Sequence, residues 1–144
     1  MQIGLKYYGG DLLNPSSLQK VVSDVDVIVH LAGIVPPLTE VNRDLCFKVN
    51  IEGTRNLIQA MKTRASPPPI LFASSASVMG PTQSCTPPIN AYDIPNPTTN
   101  YTHSKVKAEQ DLKSSGLSYC ICRFGAVLSR ALNARRSIFD KKCI

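Results

Sequence analysis

The sequence predicts an α/β fold in which helices pack against an open parallel sheet. Three apolar runs, at residues 25–33, 70–75 and 117–124, have the length and composition of buried strands. Between them lie two segments with apolar residues at helical spacing, at about 44–63 and 101–115. Strands that alternate with helices favour parallel βαβ units, whose sheet is covered on both faces.

The first part of the chain carries weaker signals. Residues 3–8 are apolar and aromatic, which predicts a short strand that the following pair of glycines ends. Pro15 followed by two serines is typical of a helix start, and this helix is expected to run through about Val22.

Proline marks the breaks between the later elements. The prolines at 67–69 end the preceding helix. Residues 80–100 are rich in proline and are expected to form a loop, and a loop that long in a compact domain is usually functional. Thr99 or Asn100 can cap the helix that follows, and Gly116 can end it.

Composition and charge limit the classes of function. With 144 residues, 43% of them apolar, the chain is expected to form one domain. It has no apolar run of about 18 residues and no secretory leader profile, so we expect a cytoplasmic protein that does not enter a membrane. Much of the net charge of +6 lies near the C-terminus. Few aromatic residues accompany these charges, which favours a solvated segment over a nucleic-acid surface.

The five cysteines and two histidines predict neither disulfides nor a structural metal site. Cys120 and Cys122 are two residues apart, so on a strand they point the same way and are poorly placed to bond each other. The other cysteines are scattered, and reduced thiols are expected. His30 and His103 lack the spacing of zinc ligands, and His30, inside an apolar run, is expected to be a core residue.

Tyr101 and Lys105 are the residues that most clearly indicate chemistry. They are four residues apart on a predicted helix and therefore share a face. A neighbouring cation favours the phenolate, so we expect the pKa of Tyr101 to fall from about 10 toward neutral. A serine-rich strand end at residues 74–77 could hold a substrate oxygen beside them. Such a set suits the transfer of a proton to or from a hydroxyl while a hydride moves elsewhere.

Five segments in order resemble the extended short-chain dehydrogenases/reductases, and most of all their NAD-dependent epimerase/dehydratase branch, which includes nucleotide-sugar epimerases and dehydratases. They are GDL at 10–12, VIVHLAG at 27–33, VNIEGT at 49–54, the segment 72–80 and YTHSK at 101–105. A lone YxxxK recurs by chance in many helices, whereas five ordered segments are specific. The resemblance covers residues 10 to about 129.

The resemblance implies a role for each matching residue. Ser75 would orient a substrate oxygen, Tyr101 would transfer its proton, and Lys105 would lower the tyrosine pKa and hold the nicotinamide ribose. Asn50 would steady the central helix and, through backbone or water, the lysine. The cofactor, NAD or NADP, would be bound by Asp11, Leu12, Leu31, Ala32, Gly33, Asn50, Ser74, Tyr101 and Lys105.

Several of these residues also have a purely structural interpretation. Asp11 can cap a turn before the first helix, the serines can satisfy backbone groups at a strand end, and Asn50 can be a polar surface residue. Gly53 is unfavourable inside a helix, which suggests close packing there. Met79 stands where the family usually has tyrosine, which would alter the wall of the substrate pocket.

The expected protein is a Rossmann-like α/β enzyme that acts on a hydroxyl or keto substrate, with a nucleotide-sugar as the favoured small molecule. The glycine-rich G-x-G-x-x-G turn that holds a pyrophosphate does not occur in this sequence. We therefore expect a fragment that lacks its first β-α-β unit and binds the cofactor poorly. Residues 1–129 would form a partial NAD(P)-binding domain, and residues 130–144 would form a basic tail leading to a missing substrate domain.

Other interpretations of the whole protein stay open. A hydroxysteroid- or flavonoid-type reductase also carries YxxxK, and a non-catalytic partner-binding protein could use the sheet edges that missing neighbours leave exposed. The resemblance permits a homodimer through the helices that carry Asn50 and Tyr101. Neither a nucleic acid nor a membrane is expected as a partner.

Overall fold

The computed structural model describes residues 6–81 and 87–126. In chain order it contains helix α1 (Pro15–Val22), strand β1 (Ile28–His30), helices α2 (Leu38–Val41) and α3 (Arg43–Phe47), a π-helical turn (Lys48–Glu52), helix α4 (Gly53–Lys62), strand β2 (Ile70–Ser75), a 3-10 turn (Ala76–Met79), helix α5 (Asn100–Lys113) and strand β3 (Tyr119–Phe124). The basic tail predicted at 130–144 lies outside the described residues.

The three strands form one parallel sheet in the order β1-β2-β3. Ile28 lies opposite Ile70, and Ile70 lies opposite Tyr119, so the strands begin at the same level. Parallel neighbours need a crossover, and here each crossover contains helix. The predicted α/β class, the parallel sheet and the bounds of β2 are confirmed.

The core lies between one face of the sheet and the helices. Phe72 and Ile70 of β2 are fully buried, and His30 of β1 points to the same face because the strands are in register. Side chains of α1, α4 and α5 close this core: Leu18, Val22, Leu57, Ile58, Ala60, Met61, Ala108 and Leu112. Burial of these apolar groups is the main source of stability.

The expectation of strands buried on both faces is wrong for the described part of the chain. Val29 is 55% exposed and Leu31 is 67% exposed, although both lie in the run predicted as a buried strand. Successive side chains of a strand point to opposite faces. Val29 and Leu31 point away from the face of the sheet that the helices cover. No part of the described residues, 6–81 and 87–126, covers the opposite face on which they lie.

Three predicted strands differ from what the described residues show. The run at 25–33 forms only the three-residue strand β1, and β3 begins at Tyr119 rather than at 117. Of the strand predicted at 3–8, residues 3–5 lie outside the described residues, and residues 6–8 are not in a strand. Tyr7 is largely exposed. Apolar, aromatic character alone was a poor guide there, since a strand also needs a neighbour to pair with.

The ends of α5 follow local sequence signals. Thr99 is the N-cap: its side chain accepts from the Thr102 amide, and Thr102 reciprocates. Gly116, just beyond the helix, has φ +77°, a left-handed conformation that suits glycine. Both were predicted from sequence, because caps depend on a few neighbouring residues.

Gly53 lets α4 approach the segment before α1. A Cβ placed on Gly53 would lie 2.8 Å from the Leu12 Cβ, closer than real Cβ atoms come. The side-chain Nδ2 of Asn56, in the same helix, donates to the Leu12 carbonyl at 2.8 Å. The close packing suggested by a helical glycine is therefore present.

We expect Gly53→Ala to destabilise the protein by about 1–2 kcal/mol. Overpacking against Leu12 costs about 1–3 kcal/mol, and the better helix propensity of alanine returns up to about 1 kcal/mol. Urea unfolding measures the difference. Gly9→Ala is the control, because a Cβ there would meet no atom within 4 Å. Equal stability of the two variants would contradict the packing role of Gly53.

Candidate active site

The ammonium of Lys105 is the centre around which the candidate site is built. Lys105 is only 6% exposed, and its Nζ donates to the Ala73 carbonyl at 2.8 Å. Nζ lies 4.8 Å from the ring centroid of Phe72 and 5.8 Å from that of Tyr101. A Cβ added to Gly33 would lie 3.9 Å from it. The end of β2, the residues after β1 and the first turns of α5 therefore meet at one ammonium.

Gly33 takes a conformation that other residues rarely adopt. Its φ is +151°, and a Cβ there would lie 3.0 Å from Oδ1 of Asn50. Asn50 holds the next residue, since its Oδ1 accepts from the Ile34 amide at 2.9 Å and its Nδ2 donates to the Ile34 carbonyl at 3.0 Å. The loop after β1 is thus fixed in one shape.

Asn50 also connects this loop to α5. Its Nδ2 lies 3.0 Å from the Ser104 hydroxyl, which in turn donates to the Tyr101 carbonyl at 2.7 Å. Asn50 occupies the π-helical turn at Lys48–Glu52, and such turns are frequent at functional sites. These hydrogen bonds are the contacts that a steadying role for Asn50 would need, and the role itself stays a prediction. A purely surface position is excluded, because Asn50 is buried.

The expected effect of Lys105 on the pKa of Tyr101 is not the one found. Burial raises the pKa of the Tyr101 phenol, and the nearby Cys46 thiol adds to the rise. The Lys105 ammonium donates one of its three N–H groups to the Ala73 carbonyl, and burial lowers the pKa of Lys105. Sequence spacing places the two side chains on one helix face, but it does not show how deeply each is buried.

Glu40 is a site residue that sequence reasoning missed. Its carboxylate accepts from the Asn100 amide at 3.0 Å and from the Tyr101 amide at 3.1 Å, so α2 caps the helix that carries Tyr101. A carboxylate is favourable at a helix N-terminus. Local desolvation would raise the pKa of the exposed Glu40, but these hydrogen bonds outweigh it and hold the pKa below its usual value. No local signal could have found a cap 60 residues away.

The two serines at the end of β2 point to different faces. Ser75 keeps its hydroxyl near the surface, 2.7 Å from the Ser77 hydroxyl. Ser74 is buried on the helix-covered face and donates to Glu109 Oε1 at 2.6 Å. Because side chains alternate along a strand, the Ser74 hydroxyl faces Glu109, and its expected contact with a cofactor stays a prediction.

The buried Glu109 and the partly buried Arg123 form an ion pair that the sequence reasoning also missed. Two hydrogen bonds join them, from Arg123 Nε to Oε1 at 3.1 Å and from Nη2 to Oε2 at 2.8 Å. Burial would raise the pKa of Glu109, but hydrogen bonds from Arg123 and Ser74 keep it low. The available signal was helical spacing, since Glu109 follows Lys105 by four residues.

No contact in the structure tests the roles of the remaining predicted cofactor residues. The Asp11 side chain accepts from the Leu13 backbone amide at 2.9 Å, as expected of a residue that caps a turn. Its expected contact with the cofactor stays a prediction. Leu12 packs on Gly53. Leu31 and Ala32 are exposed beyond β1, where backbone is accessible to a ligand.

The residues fit one end of a dinucleotide. The accessible backbone at Ala32 and Gly33, the ammonium of Lys105 and the phenol of Tyr101 suit a ribose and a nicotinamide in size and in hydrogen-bonding character. The sequence supplies no glycine-rich turn for the pyrophosphate. Within residues 6–81 and 87–126, no three histidine, cysteine or acidic side chains are grouped to hold a metal. No helix in that part of the chain could cross a bilayer.

A parallel sheet with serines at the end of β2, and with a tyrosine and a lysine on the adjacent helix α5, is typical of the extended short-chain dehydrogenases/reductases. The family model "NAD dependent epimerase/dehydratase family" matches residues 2–142, and the chain belongs to that family. The resemblance found from the sequence is confirmed, and with it the NAD(P)-dependent, nucleotide-sugar-related character of the family.

Known relatives give the same assignment. The GDP-6-deoxy-D-mannose reductase of Pseudomonas aeruginosa is 38% identical over 104 residues, which are 69% of this chain and 33% of that protein. The UDP-glucose 4-epimerase of Mycoplasma genitalium is 37% identical over 84 residues, 56% of this chain and 25% of that protein. The chain spans about a third or less of the length of the curated relatives it matches.

Solved structures agree on the fold. The structure of RMD from Pseudomonas aeruginosa, complexed with NADPH, superposes with a TM-score of 0.71 at 30% identity. The superposition covers 87% of this chain and 43% of that one. The chain is similar to these proteins in the Rossmann-like part of their structure.

His30 beneath the site is a buried, neutral imidazole. Its Nε2 lies 3.1 Å from the Thr54 hydroxyl, and its ring lies 5.5 Å from that of Phe72. Burial, and after it the positive charge of Lys105, lowers the pKa of His30 from 6.5 to about 4. This agrees with its expected place in the core.

We expect His30 to make the protein less stable at mildly acidic pH. The unfolded chain takes up a proton below about pH 6.5, whereas the folded chain does so only near its lowered pKa, so stability falls as pH falls between these values. The loss from neutral pH to about pH 5 is about 2 kcal/mol. Urea unfolding of the parent and of His30→Gln at both pH values measures it. The variant should lose much less, and an equal loss would contradict the assignment.

Proposed function

We propose that this chain supplies the proton-transfer half of an NAD(P)-dependent enzyme that acts on a hydroxyl or keto group of a nucleotide-linked sugar. The observation that carries the proposal is the buried Lys105 ammonium, which lies among Tyr101, Gly33 and the end of β2. The reductase and epimerase relatives support the substrate class. A cytoplasmic location and a homodimer through the helical segments that carry Asn50 and Tyr101 belong to the same proposal.

Tyr101 acts as a general acid in this proposal. Its raised pKa keeps the phenol protonated near neutral pH, so it is ready to donate its proton to a substrate carbonyl oxygen. The bound nicotinamide supplies or accepts the hydride. Ser75, whose hydroxyl lies at the surface end of β2, orients the same oxygen. A protonated phenol favours the direction in which a carbonyl is reduced.

Lys105 would favour the phenolate only once its ammonium turns toward the Tyr101 oxygen, because burial dominates in the structure as it stands and raises the pKa of Tyr101. Its ammonium stands 5.8 Å from the Tyr101 ring in a buried environment, where the interaction of opposite charges is stronger than in water. Its bond to the Ala73 carbonyl keeps it in place in the absence of the phenolate. Lys105 therefore matters most at the moment when negative charge forms.

A partner-binding function is the second candidate. The sheet face that carries Val27, Val29 and Leu31 is apolar and exposed in the described part of the chain, and exposed apolar patches mark interaction surfaces. This candidate does not require catalysis by Tyr101.

We expect the isolated chain to bind NAD and NADP more weakly than micromolar. The groups for the nicotinamide end are present, whereas the amides of a glycine-rich turn, which hold the pyrophosphate, are absent from the sequence. Isothermal titration calorimetry measures the affinity. The Pseudomonas aeruginosa reductase, titrated with NADPH under the same conditions, is the positive control. Micromolar binding by the isolated chain would contradict this prediction.

We expect Tyr101→Phe to abolish most of the activity that the chain supports in a complete enzyme. In a graft, residues 10–126 of this chain replace the corresponding segment of the Pseudomonas aeruginosa reductase, and cofactor oxidation is followed. Loss of the acid should lower kcat by about 100- to 10,000-fold. Tyr92→Phe makes the same chemical change at a side chain that is 97% exposed and should have little effect.

Two outcomes of the graft would count against the proposal. One is a Tyr101→Phe graft as active as the parent graft. The other is a folded, cofactor-binding parent graft without activity, which would favour the partner-binding candidate.

A further inference from the structure

Two thiols lie side by side on β3, outside the set of residues assigned to catalysis. The Sγ atoms of Cys120 and Cys122 are 3.8 Å apart, and both thiols are free. Alternation along the strand places them on the same face. A disulfide requires about 2.05 Å between the sulfurs, so the pair is reduced here, as the sequence predicted.

The pair is accessible and little crowded. Cys120 is exposed and Cys122 is half-buried, on the end strand of the three-stranded sheet and on the face that the described residues leave open. The register places Cys122 beside Ala73, whose small side chain leaves room next to the sulfur. Arg123, the following residue, points to the other face and pairs with Glu109, so its guanidinium does not lie between the thiols.

The separation of the sulfurs matches a chelating site. An ion that binds sulfur tetrahedrally at about 2.3 Å holds two sulfurs about 3.8 Å apart. The two sulfurs are also in direct contact with each other, so one ligand can reach both.

We propose that Cys120 and Cys122 form a two-thiolate binding site for a soft, thiophilic centre, either a trivalent arsenical or a soft divalent cation. An arsenical R–As=O forms two As–S bonds, its As=O bond breaks, and the oxygen leaves with the two thiol protons as one water. A divalent cation forms two metal–sulfur bonds and releases both protons to solvent. Neither step changes an oxidation state, so neither needs an oxidant or a reductant.

The test uses phenylarsine oxide and Cd²⁺ as probes on the full chain, kept reduced with a phosphine. The background variant Cys85→Ser/Cys143→Ser retains three thiols, of which Cys46 is buried. Intact mass should show one phenylarsenic group per chain, and free-thiol titration should show the loss of two thiols. In a parallel titration, Cd²⁺ should produce the ultraviolet charge-transfer absorption of a thiolate complex.

Either single change, Cys120→Ser or Cys122→Ser, should weaken binding by at least about 100-fold, because the second sulfur no longer acts at high effective concentration. Cys46→Ala should leave binding unchanged. Circular dichroism checks the fold, and Cys120→Ala provides a second variant at the more exposed position. Binding of only one probe supports the site and identifies its class of ligand. Binding of neither probe, or unchanged binding in both single variants, overturns the proposal.

Discussion

The rest of the structure depends on keeping a cation inside the protein. A buried ammonium that lost its partners would be costly, so the ends of the strands must present groups that compensate the charge of Lys105. The Ala73 carbonyl provides the hydrogen bond, and the faces of Phe72 and Tyr101 provide the electron-rich surroundings. These contacts fix the depth at which α5 lies on β2.

The same helix carries a second buried charge, on the side toward β3. Glu109 lies one turn after Lys105, and it receives hydrogen bonds from Ser74 of β2 and from Arg123 of β3. Removing Arg123 would leave the buried Glu109 carboxylate without its main partner, and breaking a buried pair in this way costs about 3–5 kcal/mol. Helix α5 is thus held on the sheet by two oppositely charged residues. At its N-terminus, Glu40 adds a third attachment. The position of the Tyr101 phenol follows from all three.

The sequence could predict what depends on neighbouring residues. The strand β2, the cap at Thr99, the glycine after α5 and the packing role of Gly53 were all predicted, because pattern, capping and propensity are local properties. Asn50 was found through the order of the motifs. The contacts of Glu40 and of Arg123 could not be found in this way, since they join residues that are distant in the chain. The uncovered face was missed because an apolar strand predicts burial without showing what covers it.

The chemistry of the site and its affinity for a cofactor come from different parts of a dinucleotide fold. Proton transfer needs the strand ends and α5, which are present here with their supporting hydrogen bonds. Affinity comes largely from the amides and dipole of a helix N-terminus at a glycine-rich turn, which this sequence does not contain. The ammonium of Lys105 does not replace that turn, because it is a single buried charge at the ends of the strands and not a row of backbone amides at a helix N-terminus. The Tyr101 phenol that we propose as the acid, held by its own internal supports, is therefore compatible with weak binding of a cofactor.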